Sequence, residues 1–327
     1  MNRTFLPAIL LATVICNFAR AQTQAKECVL QAEHYKIVAL PLLPRHINNH
    51  SQVVGTTDTH GAAIWSEKEG LRTLATSAGF TIAELVSVNN QGQAAGFATD
   101  SNSAKHQGFR YADGKMTVLS GSQSRPYAIN DAGHVAGESL LPGKLEPSPV
   151  LWKDQTPVDL GACCGGAAVA LNNRGQIAGN QYDREGRYHA FTWDSARGIQ
   201  PLGPQDTFSS AIAINDVGHI ILDAFSGGMW LYAEGKPTPL QLGPQKNAKP
   251  AALNNCDVIV GAFGPYSDAE RAFVWDKKHG FHDLNDLIPA NSGWTLERTS
   301  SINDRGEIAG WGDHKGDDDA GFLLIPQ

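Results

Sequence analysis

The chain has 327 residues, 42% hydrophobic and only 18% charged, with 34 Gly. That balance excludes a disordered chain, and the lack of a long 3.6-residue apolar pattern excludes an all-helical one. The formal charge of -7, with no cluster of Lys and Arg, argues against nucleic acid or an anionic membrane as partner.

Asn2 and Arg3 precede an apolar run from Phe5 to Ile15, and Ala19-Arg20-Ala21 then places small residues two apart. This is the layout of a secretory signal peptide, so residues 1–21 are read as a leader cut after Ala21 and the product as secreted or periplasmic. The run is too short for a membrane span. Loss of Arg3 and Arg20 takes the formal charge from -7 to -9. Residues 22–34 form an N-terminal segment, and Cys28, Cys163, Cys164 and Cys256 remain after cleavage. Four cysteines in an exported chain allow three disulfide pairings.

From residue 35 onward the chain repeats itself. An aliphatic residue, Asn, and then Asn or Asp recur at Ile47-Asn48-Asn49, Val88-Asn89-Asn90, Ile129-Asn130-Asp131, Leu171-Asn172-Asn173, Ile214-Asn215-Asp216, Leu253-Asn254-Asn255 and Ile302-Asn303-Asp304. The steps between the first Asn residues are 41, 41, 42, 43, 39 and 49, a spacing that marks a solenoid or a propeller. The fourth copy shows the unit. Ala168 to Asn172 is a strand of small residues suited to a crowded centre, and Asn172-Asn173-Arg174-Gly175 reverses the chain. Gln176-Ile177-Ala178-Gly179 returns, His189-Ala190-Phe191-Thr192-Trp193 is a third strand, and Ile199 to Leu202 a fourth. Each repeat therefore predicts a four-stranded antiparallel sheet, which must stack on its neighbours to bury both faces.

The seventh repeat ends at Gln327 without a fourth strand, whereas Tyr35 to Leu40, just ahead of the first repeat, resembles the other fourth strands. Pairing that segment with Gly321 to Ile325 closes the ring. The fold class is thus all-β, a seven-bladed β-propeller of four-stranded antiparallel blades, closed by the N-terminal strand completing the last blade. Residues 35–327 form one domain, and a monomer is expected.

These phrases resemble the HAF family of extracellular repeats, named for an element spelled in full at His189-Ala190-Phe191. The resemblance covers Tyr35 to Ile325 and implies an exported bacterial β-propeller; it carries over no catalytic residues. The shared Asn residues are assigned to Asx-type turns that bond local backbone, and the recurring Trp65, Trp152, Trp193 and Trp275 to the core between blades.

Function is sought where the repeats differ. The connections from a fourth strand to the next first strand, and those between strands two and three, share one face of the ring. That face and the adjoining first strands supply Arg45, His46, His60, Arg125, Tyr127, His189, Lys249 and Arg298 as candidate ligand-binding residues. Arg forks recognise carboxylates and aromatic rings stack on sugars, so a glycan, an anionic small molecule or a protein is the expected partner. The competing reading is a propeller lyase or hydrolase acting on an acidic saccharide or small metabolite. It requires a base such as His46, His60 or His189 beside two cations from Arg125, Lys249 and Arg298. No motif calls for a cofactor or a metal.

Cys163-Cys164, followed by Gly165-Gly166, lies on the same face; a vicinal disulfide, a soft-metal site and a pair of loop thiols are all open. Cys28 and Cys256 fall toward the opposite face and are expected to bridge. Asp313 to Asp319 is the densest acidic stretch, and its spacing fits a solvated turn better than a calcium loop.

Overall fold

The computed structural model describes residues 34–75, 82–100, 105–203, 208–224, 228–242, 247–265 and 270–327. The leader, the rest of the N-terminal segment and Cys28 lie outside the described residues. Seven four-stranded antiparallel sheets make up the structure, each ordered from an inner strand outward. The third blade is representative, with strands Ser122–Ile129, Val135–Leu140, Ser148–Trp152 and Pro157–Asp159. The seventh is Trp294–Ile302, Ile308–His314 and Asp317–Pro326, completed on its outer edge by Tyr35–Leu40. That closing strand runs in register from Tyr35 opposite Pro326 to Leu40 opposite Gly321. The expected closure is therefore present.

The core is divided among the seven interfaces between blades. Between the third and fourth, for example, Leu151 and Leu160 meet Leu171, Ile177 and Phe191, with Trp193 packed at the side. Trp65, Trp152 and Trp275 occupy the corresponding clusters. The leucines that close the outer strands follow the same logic: Leu119 and Leu202 are buried, and their amides donate to the third-strand carbonyls of Gly108 and Ala190 at 2.9 Å.

The inner strands hold a feature that alternation does not predict. Each carries a bulge against its second strand, at Arg45, Val86, Tyr127, Val169, Ile212, Ala251 and Ser300, and those of the third and seventh blades carry a further irregularity, between Ser122 and Arg125 and between Leu296 and Arg298. The bulge presses a carbonyl onto the partner strand, so in six blades the residue opposite is Gly. A Cβ on Gly261 would stand 2.1 Å from the Lys249 carbonyl oxygen, and one on Gly137 2.2 Å from that of Arg125. The fifth blade departs from the pattern with Leu222, which is buried in the core against the fourth blade.

The repeated Asn residues bond more widely than Asx turns do. Each first Asn donates from Nδ2 to the main-chain carbonyl of the next blade's Asn, from Asn48 to Asn89 at 2.9 Å and onward to Asn303, which returns to Asn48 at 3.0 Å. A second closed ring runs through the following residue. There the amide of Asn49 donates to Asn90 Oδ1 at 2.9 Å, and the series ends with Asp304 donating to Asn49 Oδ1 at 2.9 Å. The local half of the expectation also holds, since Asn89 Oδ1 accepts from the amides of Gln91 and Gln93 at 3.0 and 2.9 Å. The motif thus shapes the turn and laces the blades together.

The longest repeat step is taken up between the sixth and seventh blades. A 3-10 turn at Leu284–Leu287, capped by Asp283, leads to an inner strand that starts at Trp294 instead of near Thr299. Asn285 pins this connection, donating to the Leu296 carbonyl at 2.9 Å and accepting from its amide at 2.7 Å. Trp294 stacks on His314 with ring centroids 4.3 Å apart.

Candidate functional site

Counting back three residues from each first Asn gives the bulged positions, and their side chains line the central channel. Five are Val86, Val169, Ile212, Ala251 and Ser300; the two that stand out are Arg45 and Tyr127. The channel encloses about 320 Å³ toward the Asn turns.

Tyr127 begins a connected group. Its hydroxyl donates to Glu138 Oε1 at 3.0 Å. The Arg125 guanidinium lies 4.8 Å from the Phe97 ring centroid and 5.6 Å from that of Tyr127, within cation–π range. Arg125 Nε is buried without a hydrogen-bond partner. His106 meets Phe97 edge-on and shares a 3.0 Å hydrogen bond with Thr99. Burial pushes the Glu138 carboxyl above the ordinary carboxylate range, against the opposing pull of Tyr127, Arg125 and His106. Burial, then the Glu138 charge, holds the Tyr127 hydroxyl well above its usual value.

Glu138 also faces a cleft of about 570 Å³ between the third and fourth blades. Glu146, Cys164, Tyr182, Arg184 and Tyr188 line the rest. Tyr182 and Tyr188 sit 4.9 Å apart and tilted by 49°, the first exposed and the second half-buried. A stiff turn presents them. Asp183 accepts from the amides of Glu185 and Arg187 at 2.9 and 2.8 Å, and its other oxygen from Arg187 Nε and His189 Nε2 at 2.7 and 2.9 Å. Desolvation opposes the Asp183 charge, but these donors win and draw its carboxyl below the ordinary range.

The eight candidate residues therefore fall into several places. Arg125 and Tyr127 belong to one group. Arg45 crosses to pair with Glu84 of the second blade. Lys249 and Arg298 converge on a single buried carboxylate, Glu270, with Lys249 Nζ at 2.7 Å from Oε1. Burial raises Glu270, but the Lys249 hydrogen bond and the Arg298 charge bring it below its ordinary value.

The three histidines have different settings. His46 Nδ1 accepts from the Val88 amide at 3.4 Å, and burial lowers its pKa to about 4. The matching residues Ser87 and Ser301 do the same job, accepting from Ile129 and Ile47 at 3.2 and 3.3 Å. His60 is an exposed turn residue with φ of 60°, whose carbonyl accepts from Ala83. His189 is buried, with Nε2 on Asp183 and Nδ1 unpartnered. None of these three histidines has two of Arg125, Lys249 and Arg298 among its contacts in the described residues.

Cys163 and Cys164 are free thiols, the first exposed. Among the described residues no group of three or more His, Cys, Asp or Glu is placed to hold a metal ion. The acidic stretch forms an exposed hairpin turn in which Asp313 accepts from the Gly316 amide at 3.2 Å. Sequence reasoning missed Phe97, Tyr188, Arg184 and Glu270. The bulge position, three residues before each Asn, is the signal that would have separated Arg45 and Tyr127 from the other channel residues.

Neither a family model nor a curated protein matches the chain. Solved structures do resemble it. YCF48 bound to D1 peptide is 12% identical, with 91% of this chain and 98% of that one aligned at a TM-score of 0.56. A streptogramin B lyase is also 12% identical over 91% and 99% of the two chains, at 0.52. The putative TolB from Agrobacterium tumefaciens is 12% identical over 80% and 95%, at 0.51. At such identities the likeness shows the fold alone, a β-propeller used in these proteins for different ends. Among the described residues no helix is long and apolar enough to cross a membrane.

Proposed function

We propose that this chain is an exported binding module whose ligand enters on the loop face, in the cleft between the third and fourth blades, and that the ligand is a glycan. One observation carries the reading: Tyr182 and Tyr188 stand tilted beside Glu138 and Arg184 in a cleft of about 570 Å³. Tyrosine rings offer a sugar its apolar face, while carboxylates and a guanidinium meet its hydroxyls. Several cations are already matched, Arg45 by Glu84 and both Lys249 and Arg298 by Glu270, which favours a neutral sugar over an anionic one. YCF48 was solved with a peptide on the same fold, so a protein segment is the competing occupant. Glycan arrays with the mature chain test the reading. Binding that Tyr182→Ala weakens about tenfold supports it; blank arrays together with a peptide captured in the cleft overturn it.

The alternative of a propeller lyase or hydrolase draws no support from the geometry, because its bases and cations sit apart. Export rests on the leader, and purification of a secreted form beginning at Gln22 tests it. The HAF resemblance rests on the seven Asn phrases, and the Cys28 to Cys256 bridge on where the two cysteines fall in the sequence relative to the repeats. Non-reducing peptide mapping that finds Cys28 alkylated in the secreted protein removes the bridge.

A further inference from the structure

We propose that Cys163 and Cys164 form a dithiol exchange site, which reacts with an incoming disulfide and closes to a vicinal disulfide at the wall of the cleft. The inference does not depend on which ligand the cleft takes. Three observations place the chemistry. Both thiols are free, Cys163 is exposed and Cys164 lines the cleft. Cys163 Sγ reaches the Tyr182 carbonyl at 3.4 Å, so the pair touches the segment that presents the aromatic rings. The connection is also fastened on both sides, with the Gly166 amide on the Pro147 carbonyl at 2.9 Å and the Tyr182 amide on the Gly165 carbonyl at 3.2 Å. A change at the cysteines is therefore felt by both walls.

The backbone suits the closure. Adjacent Cα atoms are about 3.8 Å apart, shorter than the span of about 4.4 Å or more usual across a disulfide, so closing the ring must bend the segment. Gly165 and Gly166 follow at once with φ of 92° and 143°, conformations open to glycine. A bent vicinal bridge is readily reduced again, which makes the reaction reversible.

The two sulfurs have different parts. Cys163 is the exposed thiol and attacks first, and Cys164, half-buried at the wall of the cleft, resolves the adduct. The Cys163 thiolate bonds to one sulfur of the incoming disulfide, whose other sulfur leaves as a thiolate and takes up a proton. Cys164 then loses its proton and attacks Cys163 Sγ, the second thiol departs, and the Cys163–Cys164 bond forms. The pair gives up two electrons and two protons, and the disulfide is reduced to two thiols.

Oxidised glutathione serves as the probe. In the mature wild-type chain it is expected to give a peptide with an internal Cys163–Cys164 disulfide and no lasting adduct. Cys164→Ser is expected to stop at a glutathione adduct on Cys163, and Cys163→Ser to react at least about tenfold more slowly. A stable adduct on the wild type, or equal rates in the two variants, overturns the proposal. Phenylarsine oxide, which requires two neighbouring thiols, provides a check on the unmutated protein. One equivalent bound with complete protection from glutathione supports the site, and no protection removes it.

Discussion

The two ends of the central channel are built from the same inner strands and differ in almost every other respect. At the Asn-turn end, seven blades repeat one arrangement, and the polar side chains are used in two closed rings of hydrogen bonds. At the loop end the blades diverge, with Arg125, Tyr127 and Glu138 grouped beside one cleft and Lys249, Glu270 and Arg298 locked together across the ring. A repeat fold can concentrate its stability at one end and leave the other open to change. Substitutions should divide accordingly, with the shared motif costing stability and the divergent loops costing binding.

The largest effect is expected from the glycines under the bulges. In Gly261→Val the new Cβ would meet the Lys249 carbonyl oxygen at 2.1 Å and Phe273 Cε1 at 2.7 Å, neither able to yield cheaply. A loss of about 4 kcal/mol in urea unfolding is expected. Tolerance of valine there would mean that the bulge does not require glycine. Asn89→Ala comes next. It removes the 2.7 Å bond to the Asn130 carbonyl and strands the amides of Gln91 and Gln93, for a loss of about 3 kcal/mol. A loss below about 1 kcal/mol would show that the ring contributes little beyond ordinary turn bonding.

A pH test sharpens the same contrast. His46 stands in the column that carries Ser87 and Ser301, and its folded pKa is depressed from 6.5 to about 4. The unfolded chain therefore takes up a proton as pH falls below about 6.5 while the folded chain does not, and stability is lost from there down to about pH 4. His46→Ser keeps an acceptor for the Val88 amide and is expected to remove about 2 kcal/mol of that acid-side loss. Equal acid sensitivity in variant and wild type would place the titration elsewhere.

How much of this was legible in the sequence follows from the same division. The Asn phrase, the Gly seven residues after it in six of the seven copies and the Leu-terminated outer strands are similar demands made in successive blades, so they show as a period. Closure through Tyr35 to Leu40 was legible because the seventh repeat lacked what the N-terminus had spare. The bulge was not, since Val169 and Ala170 look like ordinary alternation and only the pairing of Ala168 with Gly179 and Ala170 with Ala178 reveals the extra residue. The site was legible only as a face. Glu138 and Tyr188 lie in different repeats, and nothing in the local sequence says that they meet at one cleft, or that Glu270 holds both Lys249 and Arg298.

The smallest effect on stability, and the most informative for function, lies within the tyrosine pair. Tyr182 is 45% exposed, whereas burial holds the Tyr188 hydroxyl above its ordinary value. Tyr182→Ala should therefore change unfolding by less than about 0.5 kcal/mol, while loss of one stacking face weakens glycan binding about tenfold. Tyr188→Ala should weaken binding as much and also cost about 2 kcal/mol, because its ring is half-buried. Titration calorimetry paired with urea unfolding separates the two. If both variants lose stability and binding in proportion, the cleft is an ordinary seam between blades and its aromatic pair is core. If Tyr182→Ala loses binding alone, the exposed ring has no structural duty, and the loop end of the channel is where this propeller meets its ligand.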